Sequence, residues 1–493
     1  MRNQAQLIAY VDRLSGGNFG DLEALMNGPL KGAFGGVHVL PFFLPIDGSD
    51  AGFDPIDHTQ VDPRLGTWED VAALAGTVDV IADVIVNHVS SRSPRFLDYH
   101  RHGAASRHAG MFLTYYHVFP GGARQSDLLA LRSPGAALPF TAHRTATGES
   151  VLLWTTFTRE QVDIDVDHHE SRRYLADILE RMGAAGIRAI RLDAVGFAIK
   201  KAGTSCFMIP ETFDFIDDLT AQARARGIEV LVEVHGHYRE QMAIAARVDW
   251  VYDFALPPLV LHTIYTRNAT HLKRWLDVRP RNAITVLDTH DGIGVQDVDA
   301  DPAGAAGLLS PEEIAAVIET IHARSGDDSR RASGAAASNV DASQINCTYY
   351  DALGRADGEY LIARAIQCCI PGIPQIYYVG LLAGGNDRDL LDRTGVGRDV
   401  NRHYYTAAEL QQELEQPVVQ SLLSLLRLRN THPAFAGTCH VVPSPSDALV
   451  LEWTDADDVA RLDVNLTRMD ATLACSNGSD AVLQWRALAE GRA

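Results

Sequence analysis

The sequence is short of positive charge. Lys and Arg number 43 against 63 Asp and Glu, a formal net charge of −20. Such an excess disfavours nucleic acid and anionic lipid as partners, although it permits a local cationic pocket for an anionic substrate. Long apolar runs are also missing; none reaches the roughly 18 residues that a membrane span needs. Cysteine is sparse. The six residues Cys206, Cys347, Cys368, Cys369, Cys439 and Cys475 include no CxxC pair, and a disulfide framework is not expected in a chain of this length. The opening MRNQAQLIAYVDRL turns polar within a few residues, unlike a secretory leader, so a cytoplasmic protein is expected. No strong internal repeat is visible.

What remains is an ordinary globular composition, 46% hydrophobic over 493 residues, too long for one simple core. Eight short apolar strands stand out: QLIAYV near the start, GVHVLPFF (36–43), VDVIADVIVNH (78–88), GIRAIRLDAVG (186–196), IEVLVEVHG (228–236), VDWVYDFAL (248–256), NAITVLDTHDG (282–292) and GIPQIYYVG (372–380). Amphipathic segments separate them. In SRRYLADILERMGAAG, Tyr174, Leu175, Ile178, Leu179 and Met182 share one helical face, and Gly183 and Gly186 mark its end. Alternating strands and helices predict an α/β fold, a (β/α)8 barrel. Two intervals are too long for simple loops: His88 to Gly186, and Gly294 to about residue 355. The second contains HARSGDDSRRASGAAASN, readable as a solvated loop or as part of a substrate pocket. After about residue 436, ALVLEWTD, VARLDVNL and ATLACS alternate as strands of a small antiparallel β domain.

Barrel enzymes do chemistry where strands end. Here the strand ends are polar. The second leads into Asp47, Asp50, Asp54, Asp57 and His58; the third gives Asp83, Asn87 and His88; the fourth Arg191 and Asp193; the fifth Glu233 and His235; the seventh Asp288, His290 and Asp291. A single strand-end Asp can equally cap the next helix. A carboxylate such as Asp193 at the end of a buried strand is costly unless paired or used. Several acids converging on one mouth shift one another's pKa values, which is how acid and base pairs arise.

The motifs DVIVNH, RLDAVG, EVHG and DTHDG, in that order, resemble the α-amylase superfamily. The resemblance implies Asp193 as nucleophile, Glu233 as acid/base and Asp291 as transition-state stabiliser, with His88 and His290 on the glucosyl unit and Arg191 keeping the nucleophile ionised. The chemistry itself needs two carboxylates, one attacking the anomeric carbon and one protonating the leaving oxygen. Glu233 must start protonated, and burial beside Asp193 and Asp291 is expected to raise its pKa.

GVHVLPFFLPIDGSDAGFDPIDH, RLDAVGFAIKKAGTSCFM, VLDTHDGIG and GRDVNRHYY are further similar to the sucrose phosphorylase subfamily, over most of the chain. That resemblance implies a barrel from 1–86, 168–292 and 356–435, a B insert at 87–167, a B′ insert at 293–355 and a C-terminal β domain at 436–493. It implies a closed glucose pocket of Asp50, Phe53, His88, Phe157, Gln161, Arg191, His290 and Arg398, with Asp341 and Gln344 in the acceptor loop and His235 also binding substrate. Phe53 alone could also be core packing. The expected reaction is double displacement from a sucrose-type α-glucoside to inorganic phosphate, giving α-glucose 1-phosphate. It needs no metal or organic cofactor, and no structural ion has a signature. Its partners are small molecules; monomer and homodimer are both compatible.

The sequence departs from the subfamily on the acceptor side. Thr289 stands where amylases carry Asn. A run like YRPRPGLPF is replaced by LRSPGAALPF, covering Leu131, Arg132, Ser133, Pro134 and Gly135. Ser343 replaces a Tyr before Gln344. Smaller side chains there, with Arg124, Arg132 and Ser343 to bind a phosphate, point to sucrose 6′-phosphate as substrate. Sucrose, glucosylglycerate, glucosylglycerol, or hydrolysis in place of phosphorolysis, are the alternatives.

Overall fold

The computed structural model describes every residue except 15, 49, 135–137, 302–303, 335–336, 338–343, 477–480 and 488–493. Its centre is a closed barrel of eight parallel strands: β1 (Gln6–Ala9), β2 (Gly36–Val39), β3 (Asp79–Ile85), β4 (Ala189–Asp193), β5 (Glu229–Val232), β6 (Trp250–Asp253), β7 (Ala283–Thr285) and β8 (Ile373–Tyr377). Each strand pairs with its neighbours in sequence, and β8 closes on β1 through Leu7 opposite Ile376. All eight strands read from the sequence are present. They were legible because parallel barrel strands are covered on both faces; every residue of β4 is buried, Arg191 and Asp193 included.

Helices cover the barrel. Helix α1 (His169–Ala184) buries Tyr174, Leu175, Ile178, Leu179 and Met182, the face that the spacing predicts. Each large apolar side chain so buried contributes roughly 1.5–3 kcal/mol. The helix runs through Gly183, and Gly186 takes φ +75° just beyond it. After β6 come α2 (Leu256–Thr266) and α3 (Thr270–Val278); α4 (Pro311–Arg324) follows β7, and α2 packs against both α3 and α4.

The structure differs from the sequence reading in three places. β3 ends at Ile85, so His88 is not on it. His88 opens a separate strand, His88–Ser90, that pairs antiparallel with Gln161–Asp163. The polar stretch after α4 is not all loop: Asp328–Ser333 is a short helix with Ser329 and Ala332 buried. The C-terminal sheet has five antiparallel strands, not three: β9 (Thr438–Val442), β10 (Ala448–Asp455), β11 (Asp458–Asn465), β12 (Asp470–Ser476) and β13 (Ala481–Arg486). The two overlooked strands are its edges, and each buries only one residue, Cys439 and Trp485. An edge strand carries little of the alternation that betrays a central one.

Between β3 and β4 the chain builds a second hairpin, Phe140–Arg144 with Ser150–Trp154. Leu113, Val118, Phe119 and Trp154 from this segment form a small core with Cys206. Between β7 and β8, Ile293–Gly294 pairs with Gln344–Ile345. Both segments overhang the C-terminal ends of the barrel strands.

Candidate active site

The overhanging segments and the strand ends enclose a cavity of about 840 Å³, within the usual range for small-molecule sites. Asp193 at the end of β4, Glu233 just past β5 and Asp291 past β7 all face into it. Asp50, Phe53, His88, Phe157, Gln161, His235, His290, Gln344 and Arg398 line the same cavity. Asp341 and Ser343 lie outside the described residues.

Arg191 organises the acids from below. Its Nη1 donates to Asp193 Oδ1 at 2.8 Å and to Asp83 Oδ1 at 2.5 Å. Its Nη2 stands 3.4 Å from Glu233 Oε1 and 3.9 Å from Asp291 Oδ2. Asp83 is completely buried and also meets His38 Nε2 at 3.1 Å. Burial alone would raise Asp83, but Arg191 and His38 override it and hold the carboxyl at about 2. Asp83 therefore anchors Arg191 and does not face the cavity.

The backbone fixes the nucleophile relative to its partner. Ala194, directly after Asp193, sits in the left-handed region at φ +54°, a conformation that costs a non-glycine residue about 1–2 kcal/mol. In that conformation the Ala194 N–H donates to Glu233 Oε2 at 3.2 Å. Asp291 is held similarly by local geometry: the next residue, Gly292, takes φ +97°, where a Cβ would stand 2.6 Å from the Ile345 carbonyl oxygen. Only glycine fits that turn.

A second cationic layer closes the end of the cavity around Asp50 and Asp291. Arg398 Nη1 lies 2.9 Å from Asp291 Oδ1 and 3.7 Å from Asp50 Oδ2, and its Nη2 donates to Gln344 Oε1 at 2.8 Å. Arg402, which the sequence reading passed over, reaches Asp50 Oδ1 at 3.6 Å and donates to the His290 carbonyl at 3.0 Å. Burial would raise Asp291; Arg398 and Arg191 outweigh it and hold the carboxyl far below its usual range. His290 is pushed well down by burial, so its ring is neutral. It stacks on Phe53 at 4.7 Å with planes 6° apart. The Phe53 carbonyl accepts from His88 Nε2 at 2.9 Å and Gln161 Nε2 at 3.3 Å. Phe53 is thus a cavity wall, not merely core.

The catalytic pair titrates differently from the sequence-based expectation. Burial, Glu233, Asp83 and Asp291 push Asp193 up, against Arg191. Burial also acts to raise Glu233, but Arg191 first, and then the His235 ring beside it, hold it below its ordinary value. Arg191 Nη2 is 3.4 Å from Glu233 Oε1, and the same oxygen lies 3.3 Å from Nε2 of His235. Burial opposes its protonation, yet Asp297 and Glu233 raise its pKa well above the usual value. Asp297 is fully buried and receives Gln241 Nε2 at 2.7 Å and the Gly236 N–H at 3.2 Å. The sequence offered only a weak signal for Asp297, one acid within the acidic run QDVDAD.

The acceptor side holds fewer bonds. Arg132 lines it, donating to the His235 carbonyl at 3.1 Å and Gln296 Oε1 at 2.9 Å, and lying over the Phe207 ring at 4.1 Å. Glu240, Asp299 and Asp301 line it too. Arg124 is exposed and is not among the lining residues. Asp288 belongs elsewhere: it pairs with Arg364 at 2.7 Å, both buried. Asp47 pairs with Arg64, and Asp57 bonds Thr59 and Gln60. Glu233, His235 and Asp291 lie close enough to share an ion, but Arg191 and Arg398 stand against the same carboxylates, so cations of the chain already fill that role.

A parallel barrel with three convergent acids at its C-terminal mouth defines an enzyme of the α-amylase class. The family model for the α-amylase catalytic domain matches residues 32–264. A sucrose phosphorylase of Agrobacterium vitis is 57% identical over 480 residues, covering 97% of this chain and 98% of that protein. A sucrose phosphorylase of Bifidobacterium adolescentis is 48% identical over 464 residues, covering 94% of this chain and 92% of that one. The crystal structure of a sucrose 6F-phosphate phosphorylase from Thermoanaerobacter thermosaccharolyticum superposes with a TM-score of 0.90 at 37% identity, covering 99% of this chain and 98% of that one. The chain belongs to the sucrose phosphorylase subfamily of the α-amylase family. It is a glycosyltransferase-type enzyme, a glucosyl phosphorylase.

Proposed function

We propose that the chain carries out the phosphorolysis of sucrose by double displacement at Asp193. The single observation carrying this reading is that Asp193 and Glu233 sit against adjacent nitrogens of one guanidinium, Arg191. Two carboxylates so placed are the equipment of a retaining mechanism. Asp193 attacks the anomeric carbon while Glu233 gives its proton to the fructosyl oxygen. A phosphate oxygen then attacks the glucosyl–Asp193 ester, Glu233 takes up the phosphate proton, and α-glucose 1-phosphate leaves with retained configuration. Asp291 and Arg398 hold sugar hydroxyls, Phe53 with His290 forms the wall of the glucose pocket, and Asp50 closes it.

In this reading the proton on the pair moves with the substrate. The glycosidic oxygen offers a protonated Glu233 a hydrogen-bond acceptor, which draws the proton from Asp193 and leaves Asp193 as the anion beside Arg191. The chain divides as the resemblance implies, with 87–167 and 293–355 as inserts on the barrel, 436–493 as the terminal β domain, and Gln344 on the acceptor loop.

The leaving group follows from charge. Glu240, Asp299 and Asp301 face the acceptor side, against Arg132 as the cation lining it among the described residues. A fructosyl phosphate would meet those carboxylates, and would compete with inorganic phosphate for one guanidinium. Unphosphorylated fructose avoids both costs, and the 57% identical relative is a sucrose phosphorylase. Sucrose 6′-phosphate is the second reading, favoured by the small Ser133 and Pro134 beside Arg132. Measuring kcat/KM on both substrates with inorganic phosphate separates them. Higher efficiency on the phosphorylated sugar overturns the first reading. Release of glucose 1-phosphate that is independent of added phosphate overturns phosphorolysis itself.

A further inference from the structure

Away from the barrel mouth, three helices bring two histidines and a glutamate together. His262 lies in α2, His271 at the start of α3 and Glu313 in the first turn of α4. His271 Nε2 is 3.0 Å from Glu313 Oε1, and His262 Nε2 is 3.6 Å from the same oxygen. One donor atom from each residue lies within 4.8 Å of the other two. The two rings meet edge to face, 5.1 Å between centroids. Ligands roughly 2.0–2.2 Å from a tetrahedral zinc ion stand about 3.3–3.6 Å apart. The two measured separations are close to that spacing.

The glutamate is already oriented for such a role. Its Oε2 accepts the Ser310 N–H at 2.8 Å in the capping box of α4, which leaves Oε1 facing both imidazoles. A carboxylate whose second oxygen is pinned is what a metal ligand needs from its surroundings. His262 supplies an independent observation. It is only 4% exposed, and its Nδ1 is buried without a hydrogen-bond partner. Its Nε2 points at the Glu313 oxygen, so this buried ring is aimed into the cluster and held by little else. Glu313, with a side chain 35% exposed, opens the cluster to solvent, giving an ion its way in and water a fourth position.

We propose that His262, His271 and Glu313 form a binding site for one divalent transition ion, Zn²⁺ by donor type, that clasps α2, α3 and α4. Two nitrogens and one oxygen suit zinc better than calcium or magnesium, which take oxygen ligands. The site takes no part in glucosyl transfer. It ties the helix pair that follows β6 to the helix that opens the segment between β7 and β8.

The test uses the full chain, stripped with a chelator and titrated with Zn²⁺ by calorimetry, then crystallised with zinc for anomalous diffraction. One saturable site per chain is expected, with an anomalous peak among the three side chains and a raised thermal midpoint. Glu313→Gln keeps an acceptor for the Ser310 N–H, and so keeps the cap, yet should weaken binding at least about tenfold. His271→Ala should abolish it. Glu233→Gln, which alters the barrel-mouth acids, should leave it unchanged. Absence of saturable binding, binding that survives both cluster substitutions, or an anomalous peak only at the barrel mouth overturns the proposal.

Discussion

The two ends of the cavity are built on different plans. At the end proposed to hold glucose, Asp193, Asp291 and Asp50 all meet arginine, through Arg191, Arg398 and Arg402, and the buried Asp83 anchors Arg191 from behind. Asp291 and Asp50 are each held by two arginines. At the acceptor end, Arg132 bonds a carbonyl and an amide, and the buried Glu240 Oε2 has no hydrogen-bond partner. Burial raises Glu240 with only partial relief from Arg132 and His237. A site over-determined at one end and loosely held at the other keeps its donor sugar and is free to vary its acceptor. Relatives in the same subfamily that differ in leaving group fit that division.

The sharpest way to test the contrast is to remove the nucleophile. Asp193→Asn should lower kcat by about 10⁴-fold or more, while circular dichroism shows the fold retained; substantial residual turnover would sink the assignment. Next in size is Glu233→Gln. With sucrose it should lose roughly 10²–10⁴-fold. With α-glucosyl fluoride, whose leaving group needs no proton, the loss in the first step should be much smaller. Equal losses on both substrates would remove Glu233 from the acid role.

The acceptor end should respond differently. Arg132→Ala should raise KM for phosphate by about tenfold, the order of one charge-assisted hydrogen bond. The rate of glucosyl–enzyme formation from α-glucosyl fluoride should hardly change. A fall in that first step would show the two ends to be coupled.

The smallest expected effect is on acid stability. Asp83 titrates at about 2 in the folded chain, below the ordinary Asp value of 3.8. A depressed folded pKa contributes stability that is fully present above the unfolded value and is lost as pH falls towards the folded one. The window here is about pH 4 down to about pH 2, and the contribution is about 2 kcal/mol. Denaturant melts across the upper part of that window should fall less steeply with pH for Asp83→Asn. An unchanged slope would mean that the Asp83–Arg191 pair is not the source.

Much of this was legible before any coordinates. The eight strands announced themselves because each is an apolar run, and Asp193, Glu233 and Asp291 could be found by looking only at the ends of the fourth, fifth and seventh. Asp297 and Arg402 could not. Their importance lies in which buried groups they meet across the fold, and local sequence does not encode such pairings. The same holds for His262, His271 and Glu313, which share no motif and meet only because three helices pack. The Glu233 expectation went astray for a related reason: burial was foreseen, while the reach of Arg191 to Glu233 and the His235–Asp297 pair that counter it were not.

The left-handed turn at Ala194 has a last consequence. One peptide group carries the nucleophile on its N-terminal side and hydrogen-bonds the acid/base with its own N–H. It therefore works as a spacer bar between the two acids, and the stereochemistry of glycosyl transfer depends on that spacing. The peptide that follows Asp193 thus ties together the two carboxylates on which a retaining mechanism rests.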